Sequence, residues 1–305
     1  MKQVWQRRGV VVDAPVPTGW ARSHAALPVV FTHGSEIALF CSSRDDRGRS
    51  HIASGRLDLE TGTASFDEEP AVTIGDLGAF DDSGVTSSCV VSHEGRVLQY
   101  YTGWSLGVTV PFVLGIGCAE SEDGGRTFRK VSRAPVLGRT DVDPYLTASP
   151  SVLIEGDKWR MWYVSGSDWH ATADGVEHRY NVRYAESTDG IHWGPTGLVC
   201  VDYRDEHETA IARPCVVRDR DVYRMWFCAR GDAYRLGYAE SSDGFTWTRH
   251  DEAIVISGRA DDWESETQAY PFVVDHDGTR HMLYNGNGYG ATGIGHAVLQ
   301  RCDTT

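Results

Sequence analysis

The chain alternates short apolar runs with Gly, Asp and Asn punctuation, and the runs have the lengths and β-branched or aromatic content of strands. One run is a Pro followed by an apolar pair: Pro150-Ser151-Val152-Leu153, Pro214-Cys215-Val216-Val217 and Pro271-Phe272-Val273-Val274. A second run follows it, as Arg160-Met161-Trp162-Tyr163, Arg224-Met225-Trp226-Phe227 and, more loosely, His281-Met282-Leu283-Tyr284. Pro and Met stand 11 residues apart in all three. A third run ends in Ala-Glu-Ser-x-Asp-Gly at 119–124, 185–190 and 239–244, with Phe128, Trp193 or Trp247 just beyond. Two weaker units precede these. Pro28-Val29-Val30 leads to Ala38-Leu39-Phe40, and Ser88-Cys89-Val90-Val91 leads to Leu98-Gln99-Tyr100-Tyr101.

Each of these five units reads as four strands joined by turns, and the Asp-Gly turn supplies the positive φ of a tight hairpin. A four-stranded meander repeated every ~50–60 residues is a propeller blade. The expected fold is therefore all-β, a five-bladed propeller of four-stranded antiparallel blades, with residues 1–305 as a single domain. The last unit lacks an outer strand after 293–299. The N-terminal strand, about 4–12, resembles 247–256 and is expected to pair there and close the ring, which removes exposed edges.

Composition narrows the partners. Lys plus Arg number 29 against 43 Asp plus Glu, a net charge of −14. That balance argues against nucleic acid and against an anionic membrane surface. No run approaches the ~18 apolar residues of a spanning helix, and none of signal-peptide length follows the start. The seven cysteines are scattered without a C-x-x-C pair. They read as buried free thiols, and the protein as cytoplasmic.

The Pro-apolar, M-W-Y and A-E-S-x-D-G-x-x-W runs together resemble those of the five-bladed β-propeller glycosidases. This superfamily holds glycoside hydrolase families 32, 43, 62, 68, 117 and 130. The resemblance spans Trp5 to about Leu299 and assigns no single family. It implies an enzyme that cleaves or transfers a glycosyl unit of a small saccharide or glycoconjugate in an axial pocket by carboxylate acid/base catalysis, or alternatively a glycoside phosphorylase or glycosyltransferase on the same fold, or a non-hydrolytic sugar-binding or biosynthetic protein that has lost the first-blade Asp. No cofactor is implied, although the axis leaves room for a structural calcium or other ion. The oligomeric state is left open.

The site should lie just upstream of each first-strand run, where inner strands converge. Arg22 and His24 lie there in the first unit, Asp82 in the second, and Asp143 and Tyr145 in the third. Glu208 and Arg213 follow in the fourth, then Glu266 and Gln268 in the fifth. Glycosidic cleavage needs an acid and a second group on the opposite face. By matching position, Glu208 resembles the superfamily's general acid and Asp82 its sugar-orienting Asp, with Asp143 or Glu266 as base. The superfamily's first-blade Asp is missing, and His24 stands in that region. Either another blade supplies the base, or His24 does so or binds a metal, or Arg22, His24 and Arg213 hold an anion such as phosphate. Plainer roles exist for each: a turn cap at Asp81-Asp82, a core histidine at His24, an Arg213 pair with Glu208 or Asp143. Trp104 and Trp169, in insertions at 102–112 and 165–180, are expected to overhang the pocket and stack on sugar.

Overall fold

The computed structural model describes residues 2–34, 36–172, 175–258 and 261–300, and Cys302 lies outside the described residues. Strand β1 (Gln3–Val12) opens the chain. A first antiparallel meander follows: β2 (Ser23–His33), β3 (Glu36–Arg44), β4 (Ser50–Asp58) and β5 (Thr63–Phe66). The second is β6 (Gly84–His93), β7 (Arg96–Leu106), β8 (Phe112–Ser121) and β9 (Arg129–Lys130). The third is β10 (Thr147–Glu155), β11 (Lys158–Thr172), β12 (Gly175–Ser187) and β13 (Gly194–Val201). The fourth is β14 (Ala210–Asp219), β15 (Val222–Arg230), β16 (Tyr234–Ser241) and β17 (Thr248–Arg249). Strands β18 (Ile254–Ser257), β19 (Ala269–His276), β20 (Thr279–Asn285) and β21 (Ile294–Leu299) end the chain, with the single-turn α1 (Asn287–Gly290) between the last two.

Hydrogen bonding groups these strands into three sheets. One parallel pair, Ser50 with Gly84, joins the first two meanders, and another, Tyr180 with Ala210, joins the next two. The third sheet runs β18-β1-β21-β20-β19. As expected, the N-terminal strand pairs antiparallel with β21. An unforeseen addition is β18, which pairs parallel on the outer side of β1 and gives that sheet a fifth strand. The inner strands β2, β6, β10, β14 and β19 touch one another in turn, and β19 touches β2. No described helix is long and apolar enough to cross a membrane. Six cysteines are buried and free.

The recurrent aromatics stitch neighbouring meanders. The second-strand Tyr100 hydroxyl donates to the Gly190 carbonyl at 2.6 Å, in the Asp-Gly turn of the next meander. Trp162 Nε1 donates to the Gly244 carbonyl at 2.8 Å in the same way, and Trp226 Nε1 to Gln3 Oε1 at 3.0 Å. The turns themselves are held by Asp243 and Ser241. Backbone N–H groups of Phe245 and Thr246 donate to Asp243 Oδ1, and that of Gly244 to Ser241 Oγ.

A second repeated device lies ahead of the inner strands. A buried carboxylate stands twenty residues before a second-strand tyrosine and accepts from its hydroxyl: Tyr101 to Asp81 at 3.0 Å, Tyr163 to Asp143 at 2.8 Å, Tyr284 to Glu264 at 3.0 Å. Each carboxylate also meets a cation from the same meander or the closing strand. Lys130 reaches Asp81 at 2.6 Å, Arg183 reaches Asp143 at 3.4 Å, and Arg7 reaches Glu264 at 2.6 Å. Ser165 completes Asp143, and Gln268 completes Glu264. In the fourth meander Phe227 replaces the tyrosine, and Glu208 instead takes two bonds from Arg249, whose guanidinium lies over the Phe227 ring. Arg204 adds its backbone N–H and Nε. Desolvated carboxylates persist only with such donors. These four acids brace the loops that enter four of the inner strands, β6, β10, β14 and β19, against later strands of the same sheet.

Two outcomes are expected. Asp143→Asn leaves Arg183 and the two hydroxyls around a neutral amide, and should cost about 2–3 kcal/mol in denaturant unfolding. The second concerns the closing sheet, where His281 Nδ1 and His296 Nε2 lie 2.9 Å apart. Burial, then the neighbouring His281 and Arg8, push His296 down to about 4, and burial also lowers His281. The unfolded chain therefore binds protons at these sites before the folded one does. Stability should fall as pH drops from about 6.5 toward 4, and a His296→Gln variant should show a flatter melting-temperature profile over that window.

Candidate functional site

Where the inner strands begin, register shifts interrupt their pairing. These fall between Ala26 and Val29, Ser87 and Cys89, Ala148 and Ser151, Ala212 and Cys215, and Ala269 and Phe272. The residue before the Pro takes a left-handed backbone in four of them: Leu27, Ser149, Arg213 and Tyr270, with φ of 53°, 47°, 58° and 55°. Such bulges re-aim a side chain. Arg213 shows the direction. From β14 it donates to the Pro28 and Ser88 carbonyls, both on inner strands that are not its neighbours. Its guanidinium therefore crosses the axis. It is 1% exposed, burial lowers its pKa, and Nε has no partner. This corrects the expected carboxylate pair for Arg213: backbone carbonyls hold it, and its positive charge stands where an axial cation would be repelled.

Beside this hub is a cavity of about 200 Å³. His24, Ala26 and Leu27 of β2, Ser42 and Arg44 of β3, Ser50, Thr86, Trp104, Tyr270 and Tyr289 line it, and no carboxylate is among them. Trp104 fits because position 84 is glycine: a Cβ there would lie 1.9 Å from Trp104 Nε1. That nitrogen donates to Ser50 Oγ at 3.0 Å. His24 has φ of 63° and its Nδ1 lies 2.9 Å from Ser23 Oγ. Burial, then the charge of Arg44, lowers its pKa, so the imidazole is held neutral.

An aromatic wall continues from Tyr289. Its ring stacks on Tyr270 at 6.5 Å and meets Tyr234 edge-on at 6.1 Å. Tyr180 and Tyr234 share a hydroxyl–hydroxyl hydrogen bond, and burial pushes the Tyr180 phenol up to about 12. The Arg230 guanidinium lies among Tyr180, Tyr234 and Tyr289, and its Nε donates to Thr209 Oγ1 at 3.0 Å. His178 stacks on Tyr180 at 5.1 Å, and burial, then Arg230, push it down to about 4.

The sequence candidates divide. His24 and Trp104 line the cavity. Trp169 is not among its lining residues and packs on Phe112 at 5.3 Å and His178 at 5.2 Å, in a hairpin extension rather than an irregular insertion. Tyr145 is half-buried against β11, where it would crowd a side chain at Gly166. Arg22 donates to the Gly19 and Ala21 carbonyls and faces a different cavity, with Asp45, His51 and Glu68. Asp82 caps a turn, accepting from the Gly78 N–H and Ser83 Oγ. Asp143 and Glu208 are braces, and Gln268 supports the brace Glu264. For Glu208, burial alone would raise the pKa, but the bonds from Arg249 and Arg204 outweigh it and hold the carboxyl below its usual range. An ionised group of this kind has no proton to donate. Glu266 is exposed, its backbone N–H bonded to Asn287 Oδ1. The partners of Asp82, Asp143, Glu208 and Glu266 form separate sets, and none of the four is among the residues lining the cavity.

The residues not anticipated are Arg44, Arg230, Tyr180, Tyr234, Tyr270 and Tyr289. A signal for three wall positions was present. Arg44, Trp104 and Arg230 each stand five places after the equivalent Leu39, Gln99 and Met225 of the second-strand run. The register agrees, placing each opposite the start of its inner strand: Ser23, Gly84 and Ala210.

No protein-family model matches the chain. Two proteins of Mycobacterium tuberculosis, "Uncharacterized protein MT1551" and "Uncharacterized protein Rv1502", are each 43% identical over 301 residues, covering 97% of this chain and 99% of theirs. Among solved structures, that of BT0996 in an RGII complex superimposes with a TM-score of 0.77 at 17% identity, over 98% of this chain and 92% of that one. A thermostable family-43 glycoside hydrolase gives 0.71 at 15% identity, over 96% and 94%. The Bombyx mori GH32 beta-fructofuranosidase BmSUC1 gives 0.67 at 16% identity, over 97% of this chain and 64% of that one. The chain belongs to one family with the M. tuberculosis proteins MT1551 and Rv1502, and it carries the fold of the propeller glycosidase superfamily.

Proposed function

We propose that this protein is a glycosidase-like protein that takes a small saccharide or glycoconjugate in the axial cavity. The four meanders and the closing sheet are read as five blades of one domain, and the buried free thiols fit a cytoplasmic location. The observation that carries the proposal is the lining of that cavity. Rings at Trp104, Tyr270 and Tyr289 offer faces for sugar C–H groups, and His24, Ser42, Arg44 and Ser50 offer polar contacts at the same opening.

The chemistry inside it is a separate matter. Hydrolysis by two carboxylates needs both groups free at the scissile bond. Here the four best-buried acids ahead of the inner strands are already engaged with Lys130, Arg183, Arg249 and Arg7. That favours saccharide binding, or glycosyl transfer without an acid pair, over Asp82–Glu208 hydrolysis. Cleavage is the second reading. It is supported by the glycosidase fold and by the neutral His24 imidazole, the one ordinary base in the cavity lining.

Calorimetric titration with a panel of mono- and disaccharides, alongside an aryl-glycoside screen with and without phosphate, tests this. Trp104→Ala and Tyr289→Ala should each weaken saccharide binding by about tenfold. Glu208→Gln should lower the melting temperature and leave binding within about twofold. Loss of turnover in Glu208→Gln at an unchanged melting temperature would instead restore the carboxylate mechanism.

A further inference from the structure

Arg44 and Arg230 occupy equivalent places at the ends of β3 and β15, in meanders that are not neighbours around the ring. Tyr289 connects them. Its ring lines the cavity with Arg44, and its phenol lies beside the Arg230 guanidinium. The fold gives several buried or half-buried cations a carboxylate: Arg7 has Glu264, Lys130 has Asp81, Arg183 has Asp143 and Arg249 has Glu208. Among the described residues, the half-buried Arg230 and the buried hub residue Arg213 have none, and neither has Arg44, exposed where it lines the cavity. Arg230 bonds Thr209 and faces the Tyr234 ring at 5.8 Å, while Arg213 bonds backbone carbonyls. With 43 acidic side chains against 29 basic ones, an acid-free cavity lining that holds Arg44, with Arg230 beside the lining Tyr289, runs against the composition. The phenols beside Arg230 do not neutralise it, because burial holds Tyr180, Tyr234 and Tyr270 protonated. The opening is thus a positive, aromatic-walled spot in an acidic protein, and its guanidinium forks suit a carboxylate, phosphate or sulfate.

Resting on the saccharide reading above, we infer that the axial site selects a saccharide that carries an anionic substituent, and that Arg44 and Arg230 bind that substituent. The sugar rings would lie on Trp104 and Tyr289, and the charged group would complete the donors left open on the two arginines. Attraction between full charges at a partly desolvated site weakens with salt, so the preference should shrink as ionic strength rises.

The test uses titration calorimetry on the intact protein with glucose, glucuronate, a hexose phosphate and inorganic phosphate, at low and at high salt. At low salt an anionic sugar should bind about tenfold tighter than glucose. Arg44→Gln and Arg230→Gln should each remove most of that preference, weakening the anionic sugar by far more than they weaken glucose. Arg22→Gln, in the separate cavity, should leave the preference intact. Equal affinity for glucose and both anionic sugars overturns the inference while sparing the saccharide site. So does a preference that survives in both arginine variants. Arginine-dependent binding of inorganic phosphate without any preference for anionic sugars also overturns it, by assigning the arginines to a free anion. Failure of every sugar to bind, neutral or charged, sinks the underlying saccharide reading as well.

Discussion

A carboxylate removed from water survives only where donors surround it, and this protein places one such carboxylate ahead of four of its inner strands. Asp81, Asp143, Glu208 and Glu264 each gather a cation, and three of them a tyrosine hydroxyl as well. These bonds run from the loop that enters the hub to other strands of the same sheet. The loops thereby acquire fixed positions, and the bulged starts of the inner strands are held where their side chains meet at the axis. Because the acids are consumed in bracing, they are withdrawn from the pocket.

What fills the hub follows from the same geometry. Left-handed residues at the bulges turn Leu27, Ser149, Arg213 and Tyr270 away from the strand plane. Arg213 then ties three inner strands through the Pro28 and Ser88 carbonyls. A guanidinium is suited to this task because it stays charged when buried and its planar fork meets several carbonyls at once. The result is a positive hub beneath an aromatic opening. Among the described residues that line the cavity there is no carboxylate, and His24, its pKa lowered by burial, is the one imidazole.

The second-strand aromatics have a comparable dual effect. Tyr100, Trp162 and Trp226 bond across to the next meander, so their hydrogen-bonding groups are taken up by ring cohesion. Trp104 comes one strand-end later, where the glycine at 84 opens space, and it alone of these rings reaches the cavity. Position along the strand, not residue type, separates the packing aromatics from the one that lines the cavity.

The architecture was written in the order of residues because its causes are local and periodic. The Pro-apolar starts, the Asp-Gly turns and the missing last strand each follow from backbone preference and a period of two, and the pairing of β1 with β21 agrees with them. The fate of the acids was not written there, although a trace existed in the twenty-residue spacing from Asp81 to Tyr101, Asp143 to Tyr163 and Glu264 to Tyr284. A carboxylate's role depends on which donors lie within about 3 Å of it. For Glu208 those donors come from Arg204 nearby and from Arg249, forty-one residues away. Sequence alone determined the repeated strands and the pairing of the first strand with the last. Only the folded sheets decided that the acids became braces and that Arg44, Arg230 and Arg213 were left without one, because charge pairing is settled by distance in space and not by distance along the chain.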